Sequence, residues 1–343
     1  MRRGASSKRG LNLSILATAT RTGIVECESR GSIAAADADG NLIGWVGDPD
    51  ARYYLRSSAK PLQALSIVTT GAYEALRMTP KELAVCCASH SGSTEHQEAV
   101  LSVLAKAGLS EDALQCGTHA PGDAAAREEL KNSGKQPTPV HNNCSGKHAG
   151  KLATAVHIGA PVGSYLDTKH PVQRMIVGNI ARLADMQPGD IHIGVDGCGS
   201  PVHCLPLRNM AIAFARAAAA RNMPDDMAAA ATEIRKAIGA HPHMIASHGS
   251  FNSDLVGAFS GDAYAKAGAE ALFCAGFAKS GVALALKISA GGTRMMSPIM
   301  MRAMVQLGLP AKTLAKLEKY RRAPVTNCRN EKVGWIEPTD FAL

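Results

Sequence analysis

The sequence predicts an α/β protein in which an antiparallel-rich sheet is built from both ends of the chain and carries a helical insertion. Three observations predict it. Extended, alternating segments fill the first fifty residues, helical periodicity dominates from Lys60 to about Gly276, and strand-like sequence returns at "GVALALKIS". The expected layout is a single unit over 1–343, with the sheet from about 11–56 and 282–337 and the helical part over about 60–276.

The first strands are "SILATAT", "GIVECES", "GSIAAAD" and "LIGWVGD", with a turn at Asp39-Gly40-Asn41 in "DADGNL". A helix then opens near "RSSAKPLQ" (56–63), where Pro61 is tolerated because a first-turn N–H has no partner to lose. "TEHQEAVLSVLAKAGL" has apolar residues at helical spacing, with Thr94 and Gln97 placed for a capping box. "HPVQRMIVGNIARLADM", "NMAIAFARAAAA" and "DDMAAAATEIRKAIGA" follow the same period, and so does "SPIMMRAMVQLGL" near the end, before a last strand at "KVGWIEP".

Composition limits the function classes. Hydrophobic residues make up 46% and charged residues 19% of the chain, which is ordinary for a globular protein. Aromatics are only 4%, so the core is expected to be packed with small aliphatic side chains. No apolar run approaches the ~18 residues needed to span a bilayer. The start, "MRRGASSKRG", is basic but leads into sequence too polar for a signal-peptide core, so a solvated arm on a cytoplasmic protein is expected. The net charge is +8, with a further basic cluster at Lys312, Lys316, Lys319, Arg321 and Arg322. No aromatic interleaving or nucleic-acid motif accompanies it, and a solvated face is the expectation. Nine scattered cysteines without an export signal argue against a disulfide framework and for metal ligands or reactive thiols.

Two groups of residues carry chemistry. Ser57 and Lys60 are three apart, so hydroxyl and amine share a helical face at a boundary between sheet and insertion. A serine needs a base beside it to act as a nucleophile, and a lysine serves only when burial or a neighbouring cation keeps it neutral. Ser89, in the small-residue loop "CCASHSG", could relay a proton. Lys287, near the end of the apolar "ALALKIS", is expensive to bury without purpose and is expected close to Lys60. Ser-x-x-Lys, a second serine and a late-strand lysine follow the chain order of the penicillin-recognising serine enzymes, although "SHSG" and "LKIS" stand where SDN and KTG would be.

The second group lies in "HNNCSGKHAG" (141–150) and "GVDGCGSP" (194–201). Cys144, Lys147 and Cys198 are three ligand-capable side chains that could hold zinc with an open fourth position. Structural glycine turns with incidental thiols, or Cys144 as nucleophile with His148 as base, are the other readings. Asp196 could take a substrate amino group or be a plain turn aspartate. "HPH" at 241–243 with His248 resembles a metal cluster, with a surface loop as the plainer account.

Together "RSSAKPLQ", "ASHSG", "HNNCSGKHAG", "HPVQ", "DGCGSP" and "LALKI" resemble, in order, the asparaginase II family of class 3, rhizobial-type L-asparaginases. The resemblance implies a fold similar to serine β-lactamases and glutaminases, a homodimer, and hydrolysis of asparagine to aspartate and ammonia. It implies Ser57 as nucleophile with Lys60, a second tandem of Ser89 and Lys287, and one zinc per chain on Cys144, Lys147 and Cys198. Arg56, His148 and Asp196 fall where the family contacts substrate. Another Ser-x-x-Lys amidase or esterase, such as a glutaminase, and a non-catalytic amino-acid- and metal-binding protein are the alternatives.

Overall fold

The structure is a computed structural model and describes residues 12–343; the basic arm expected at the first ten positions lies outside them. The strands are β1 (Ser14–Arg21), β2 (Ile24–Asp37), β3 (Leu42–Val46), β4 (Arg52–Tyr54), β5 (His192–Val195), β6 (Pro201–Pro206), β7 (Ala263–Gly268), β8 (Leu272–Phe277), β9 (Val282–Ile288), β10 (Ala323–Thr326) and β11 (Lys332–Pro338). Eight of them form one antiparallel sheet in the order β10-β11-β1-β2-β9-β8-β7, with β3 paired to β2 off that path. Strands from both chain ends therefore share one sheet, with helices inserted between them.

The boundaries differ from expectation. β7 and β8 lie inside the span read as helical, so the C-terminal part of the sheet begins at Ala263 and not near 282. β5 and β6 also fall there and form, with β4, a separate three-stranded sheet in the order β4-β6-β5. The reason is burial. All six residues of β8 are buried, so it shows no alternation, and its short apolar run cannot be told from a core helix by periodicity.

Small side chains fill the core. Ala34, Ala35 and Ala36 on β2 are fully buried, as are Ala211, Ala213, Ala215, Ala217 and Ala218 on the helix Leu207–Ala219. That helix lies across β2, β8 and β9. Its approach is close enough that a Cβ on Gly276 of β8 would sit 2.2 Å from the Phe214 carbonyl oxygen. In the basic C-terminal cluster, Lys319 pairs with Asp254, Arg321 with Glu318 and Arg322 with Glu337. No helix among the described residues is long and apolar enough to cross a membrane.

The Gly276 contact is with backbone, which cannot rotate away. Gly276→Ala is therefore expected to lower stability by ~1–3 kcal/mol through overpacking. Urea denaturation followed by far-ultraviolet circular dichroism checks this; an unchanged midpoint would mean that the helix can retreat at no cost.

Candidate active site

The site grows from the junction at "RSSAKPLQ". Pro61 has no N–H, and the α-helix runs Lys60–Thr69, so Lys60 is its first residue. Arg56–Ala59 form a 3-10 turn instead of the helical first turn expected for Ser57. Ser58 N–H donates to the Leu55 carbonyl and Lys60 N–H to the Ser57 carbonyl, so those amides are satisfied within the turn. The Ser57 N–H precedes this internal ladder. Arg56 enters at φ +47°, a left-handed conformation uncommon for a side-chain-bearing residue, and the Ser57 side chain remains partly exposed.

Lys60 is buried. Its Nζ donates to Ser89 Oγ at 2.9 Å, to the Asn143 carbonyl at 3.2 Å and to the Ala88 carbonyl. One amine thus joins the helix start, the 88–92 loop and the 141–144 turn. Burial pushes its pKa below the ordinary lysine value, opposed by the Cys144 thiol and aided by Lys147. The Ser89 loop is held from behind, since Ser89 N–H donates to the Ile245 carbonyl and Ser91 N–H to that of Ala246.

Lys287 does not join this group. Its Nζ donates to the carbonyls of Glu270 and Ile288, lies 5.8 Å from the centre of the Tyr53 ring, and is only half-buried. The second buried amine belongs to Lys266 on β7. Burial, reinforced by the charge on Lys60, brings its pKa down to about 7. Sheet order explains the difference, because β8 separates β9 from β7, and β7 packs most closely against the 56–59 turn. Ser58 Oγ donates to the Lys266 carbonyl at 2.8 Å. Sequence reasoning missed Lys266 although its signal was the same as for Lys287: one charge in an apolar strand, "AYAKAG".

The thiols also converge. Cys144 precedes the helix Ser145–His157, which bears Lys147, His148 and Lys151. Gly146 seats that helix, for a Cβ there would meet the Val85 carbonyl oxygen at 2.1 Å. Lys147 Nζ donates to Cys198 Sγ at 2.9 Å, and all three side chains are buried. A hydrogen bond from Cys198 holds the Cys144 thiol well below its usual range against burial, with Lys60 and Lys147 adding to the effect. The same contact pushes Cys198 up. Burial depresses the Lys147 pKa, but the two thiols outweigh it and the net shift is upward. Two sulfurs in mutual contact and an amine on one of them fit the donor set of a zinc ion, provided that Lys147 sheds its proton. Cys86 and Cys87, by contrast, are core thiols raised by burial.

Arg56 Nε donates to Asp196 Oδ1 at 2.8 Å, so the two expected substrate contacts form an ion pair at the mouth of the cluster. Burial raises the Asp196 pKa, but Lys147, the Gly197 amide and Arg56 turn the net shift downward. His148 is fully buried, with Nδ1 2.7 Å from Tyr165 Oη and Nε2 without a partner among the described residues. Burial and the neighbouring lysines keep this ring neutral.

Because burial and Lys60 together depress Lys266, removal of one cation should relax the other. In Lys60→Met the Lys266 pKa is expected to rise from about 7 and yet stay below the ordinary lysine value, since burial persists. Titration of ε-labelled lysines by NMR checks this, and an unmoved Lys266 signal would mean that the two amines do not interact.

The L-asparaginase II family model matches residues 17–338. A search of curated proteins returned no match. Among solved structures, a β-lactamase from Mycobacterium bovis is similar at 14% identity and TM-score 0.38, covering 84% of this chain and 94% of that one. A Bacillus glutaminase shows 14% identity and TM-score 0.37 over 82% and 92%. Mglu in an L-glutamate-binding form shows 15% identity and TM-score 0.44 over 81% of this chain, which spans only 61% of the Mglu chain. The family match covers nearly the whole chain, from β1 to the last strand, and includes both lysine groups and the thiol cluster. The chain belongs to the L-asparaginase II family, a family of amidohydrolases.

Proposed function

We propose that the protein hydrolyses the side-chain amide of L-asparagine to aspartate and ammonia through an acyl-enzyme on Ser57. The observation that carries this reading is the Lys60 amine, buried and 2.9 Å from Ser89 Oγ, with Lys266 poised near neutrality behind the turn that bears Ser57. A neutral amine can take a proton from a serine hydroxyl at neutral pH, which an ordinary lysine cannot. The proposed second tandem is therefore Ser89 with Lys266, in place of Lys287.

In this mechanism Ser57 Oγ attacks the amide carbon while its proton passes through the Lys60–Ser89 group to the neutral amine of Lys266. The oxyanion is met by the Ser57 N–H, the amide of the turn left outside its internal ladder. The stored proton goes to the leaving nitrogen and ammonia departs, leaving a β-aspartyl ester. Water, deprotonated by the same neutral amine, attacks that ester and releases aspartate. The Arg56–Asp196 pair supports an amino-acid substrate, whose α-carboxylate and α-ammonium are complementary to its two halves. His148 Nε2, buried and unpartnered, can donate to or accept from the bound substrate.

The reading includes one zinc ion per chain on Cys144, Lys147 and Cys198. When bound there, zinc would supply positive charge that orients the substrate, its Lewis acidity blunted by two thiolates. A homodimer, which the family resemblance implies, and a cytoplasmic setting complete the reading; sedimentation equilibrium tests the first.

Ser57→Ala is expected to abolish ammonia release from asparagine without loss of fold. Lys266→Met should cost about 10²–10⁴ in turnover, as loss of a general base does, whereas Lys287→Met should stay close to wild type. Equal losses in the two lysine variants would contradict the assignment. Glutamine and nitrocefin, run beside asparagine, separate asparaginase from glutaminase or β-lactamase activity.

The pH dependence follows from the direction of the shift. The neutral amine is the base, so turnover should be low while Lys266 is protonated and rise with pH through about 7. A pH–rate profile flat across that region would exclude a lysine base.

For zinc, protein purified without chelator should contain about one equivalent at the thiols, lost as pH falls because all three donors must be deprotonated. Cys198→Ala should raise KM for asparagine more than it lowers kcat. Metal analysis with steady-state kinetics decides it, and a pure kcat loss would assign the thiols to chemistry rather than binding.

A further inference from the structure

Away from the lysines and thiols, Glu95, His243 and His248 bring one carboxylate and two imidazoles together. One ligand-capable atom from each lies within 4.8 Å of the others. The residues come from two distant segments. Glu95 is in the first turn of the helix Thr94–Lys106, while the histidines belong to "HPHMIASHG" (241–249), where Pro242 opens a 3-10 turn over Pro242–Ile245.

We propose that Glu95, His243 and His248 form a second metal site, separate from the thiol cluster, for a zinc-class divalent ion. Two imidazole nitrogens with one carboxylate oxygen suit zinc, cobalt or nickel, whereas calcium and magnesium prefer oxygen donors throughout. Bonds of ~2.0–2.2 Å in a tetrahedral shell place donors about 3.4 Å apart. His243 Nε2 is already 3.2 Å from Glu95 Oε1. The His248 ring is stacked on His243 with centroids 4.7 Å apart and planes at 6°. Ion binding replaces that stack with coordination, which the exposed His248 side chain reaches by rotation. His243 and Glu95 are partly exposed, so a water can complete the shell.

Lys81 is the opposing element. Its Nζ is 2.8 Å from Glu95 Oε1 and holds the carboxylate in place without a metal, while repelling any cation that enters. No partner of Glu95 Oε2 is found among the described residues, which leaves that oxygen for the ion. The site also has a structural reach. His96 Nε2 lies 3.3 Å from the His243 carbonyl oxygen, and the carbonyls of Ile245 and Ala246 hold the amides of Ser89 and Ser91. An ion joining the 94–106 helix to the 241–248 segment clamps the two pieces of chain that flank the Ser89 loop.

The test is titration of chelator-stripped, full-length protein with Co²⁺, followed by calorimetry and absorption. Cobalt on the thiols gives an intense sulfur-to-metal charge-transfer band; cobalt on imidazoles and a carboxylate gives only weak ligand-field bands. His248→Ala and Glu95→Gln are expected to remove one equivalent, or weaken it roughly 10–100-fold, and leave the charge-transfer band intact. Lys81→Met should tighten the same equivalent by removing the adjacent cation, and Cys198→Ala should leave it in place. Unchanged uptake in both His248→Ala and Glu95→Gln, or weaker uptake in Lys81→Met, overturns the proposal. The comparison is between parent and variants, so it holds whether or not the thiols bind zinc.

Discussion

The architecture of the site depends on one buried amine. Among the described residues Lys60 Nζ has no carboxylate partner; it is held by the carbonyls of Ala88 and Asn143 and the hydroxyl of Ser89. Three acceptors satisfy an ammonium, yet burial still lowers its pKa below the ordinary lysine value and so brings the proton-accepting form closer. The same three contacts tie together segments that are far apart in sequence. A change that moved the 88–92 loop or the 141–144 turn would also remove the dipoles that make Lys60 tolerable.

The other lysines of the cluster divide by what they face. Lys266 and Lys151 are lowered chiefly by burial with a neighbouring cation, and Lys151 donates to Ser200 Oγ. Lys147 alone is raised, because it lies against the thiols of Cys144 and Cys198. Several buried ammonium groups could not coexist without matching anions. The thiols let one amine keep its charge and leave the others free to be neutral. Proton chemistry and metal-capable chemistry are thereby separated across one helix, with Cys144 touching both sides through Lys60.

Much of this was legible from local pattern. The helix from 60, the long amphipathic helices and the end strands β9 and β11 follow from periodicity and turn residues. The convergence of Cys144, Lys147 and Cys198 was suggested by glycine-rich turns with thiols, which core packing does not need. Two features were not legible. Thr94 and Gln97 do not form the expected box: Ser93 is the N-cap, its Oγ 2.6 Å from His96 Nδ1, while Gln97 reaches back to the Gly92 carbonyl. And Lys266 and Lys287 look alike in sequence, each a single charge in an apolar strand. Which one reaches Lys60 is decided by strand order, a long-range property that neither segment encodes by itself.

That strand order gives β7 its role. As an edge strand it exposes one row of backbone groups, a liability that folds must cover. Here the cover is specific. Asn252, on the helix Phe251–Ala258, donates to the Ala265 carbonyl and accepts from the Ala267 N–H, so one amide side chain stands in for a missing strand. Next to it Ser58 Oγ binds the Lys266 carbonyl, and Gly268 lets the 56–59 turn approach so closely that a Cβ would lie 3.0 Å from both the Leu55 carbonyl oxygen and Ser58 Oγ. Tyr264 Oη donates to the Pro61 carbonyl at 2.8 Å, fastening the same strand to the start of the Lys60 helix. An interior strand would have its groups consumed by neighbours on both sides and could not be gripped in this way. The edge position is thus what brings a sheet lysine and a helix-start serine into one site, and the contacts that seal the edge also fix their spacing.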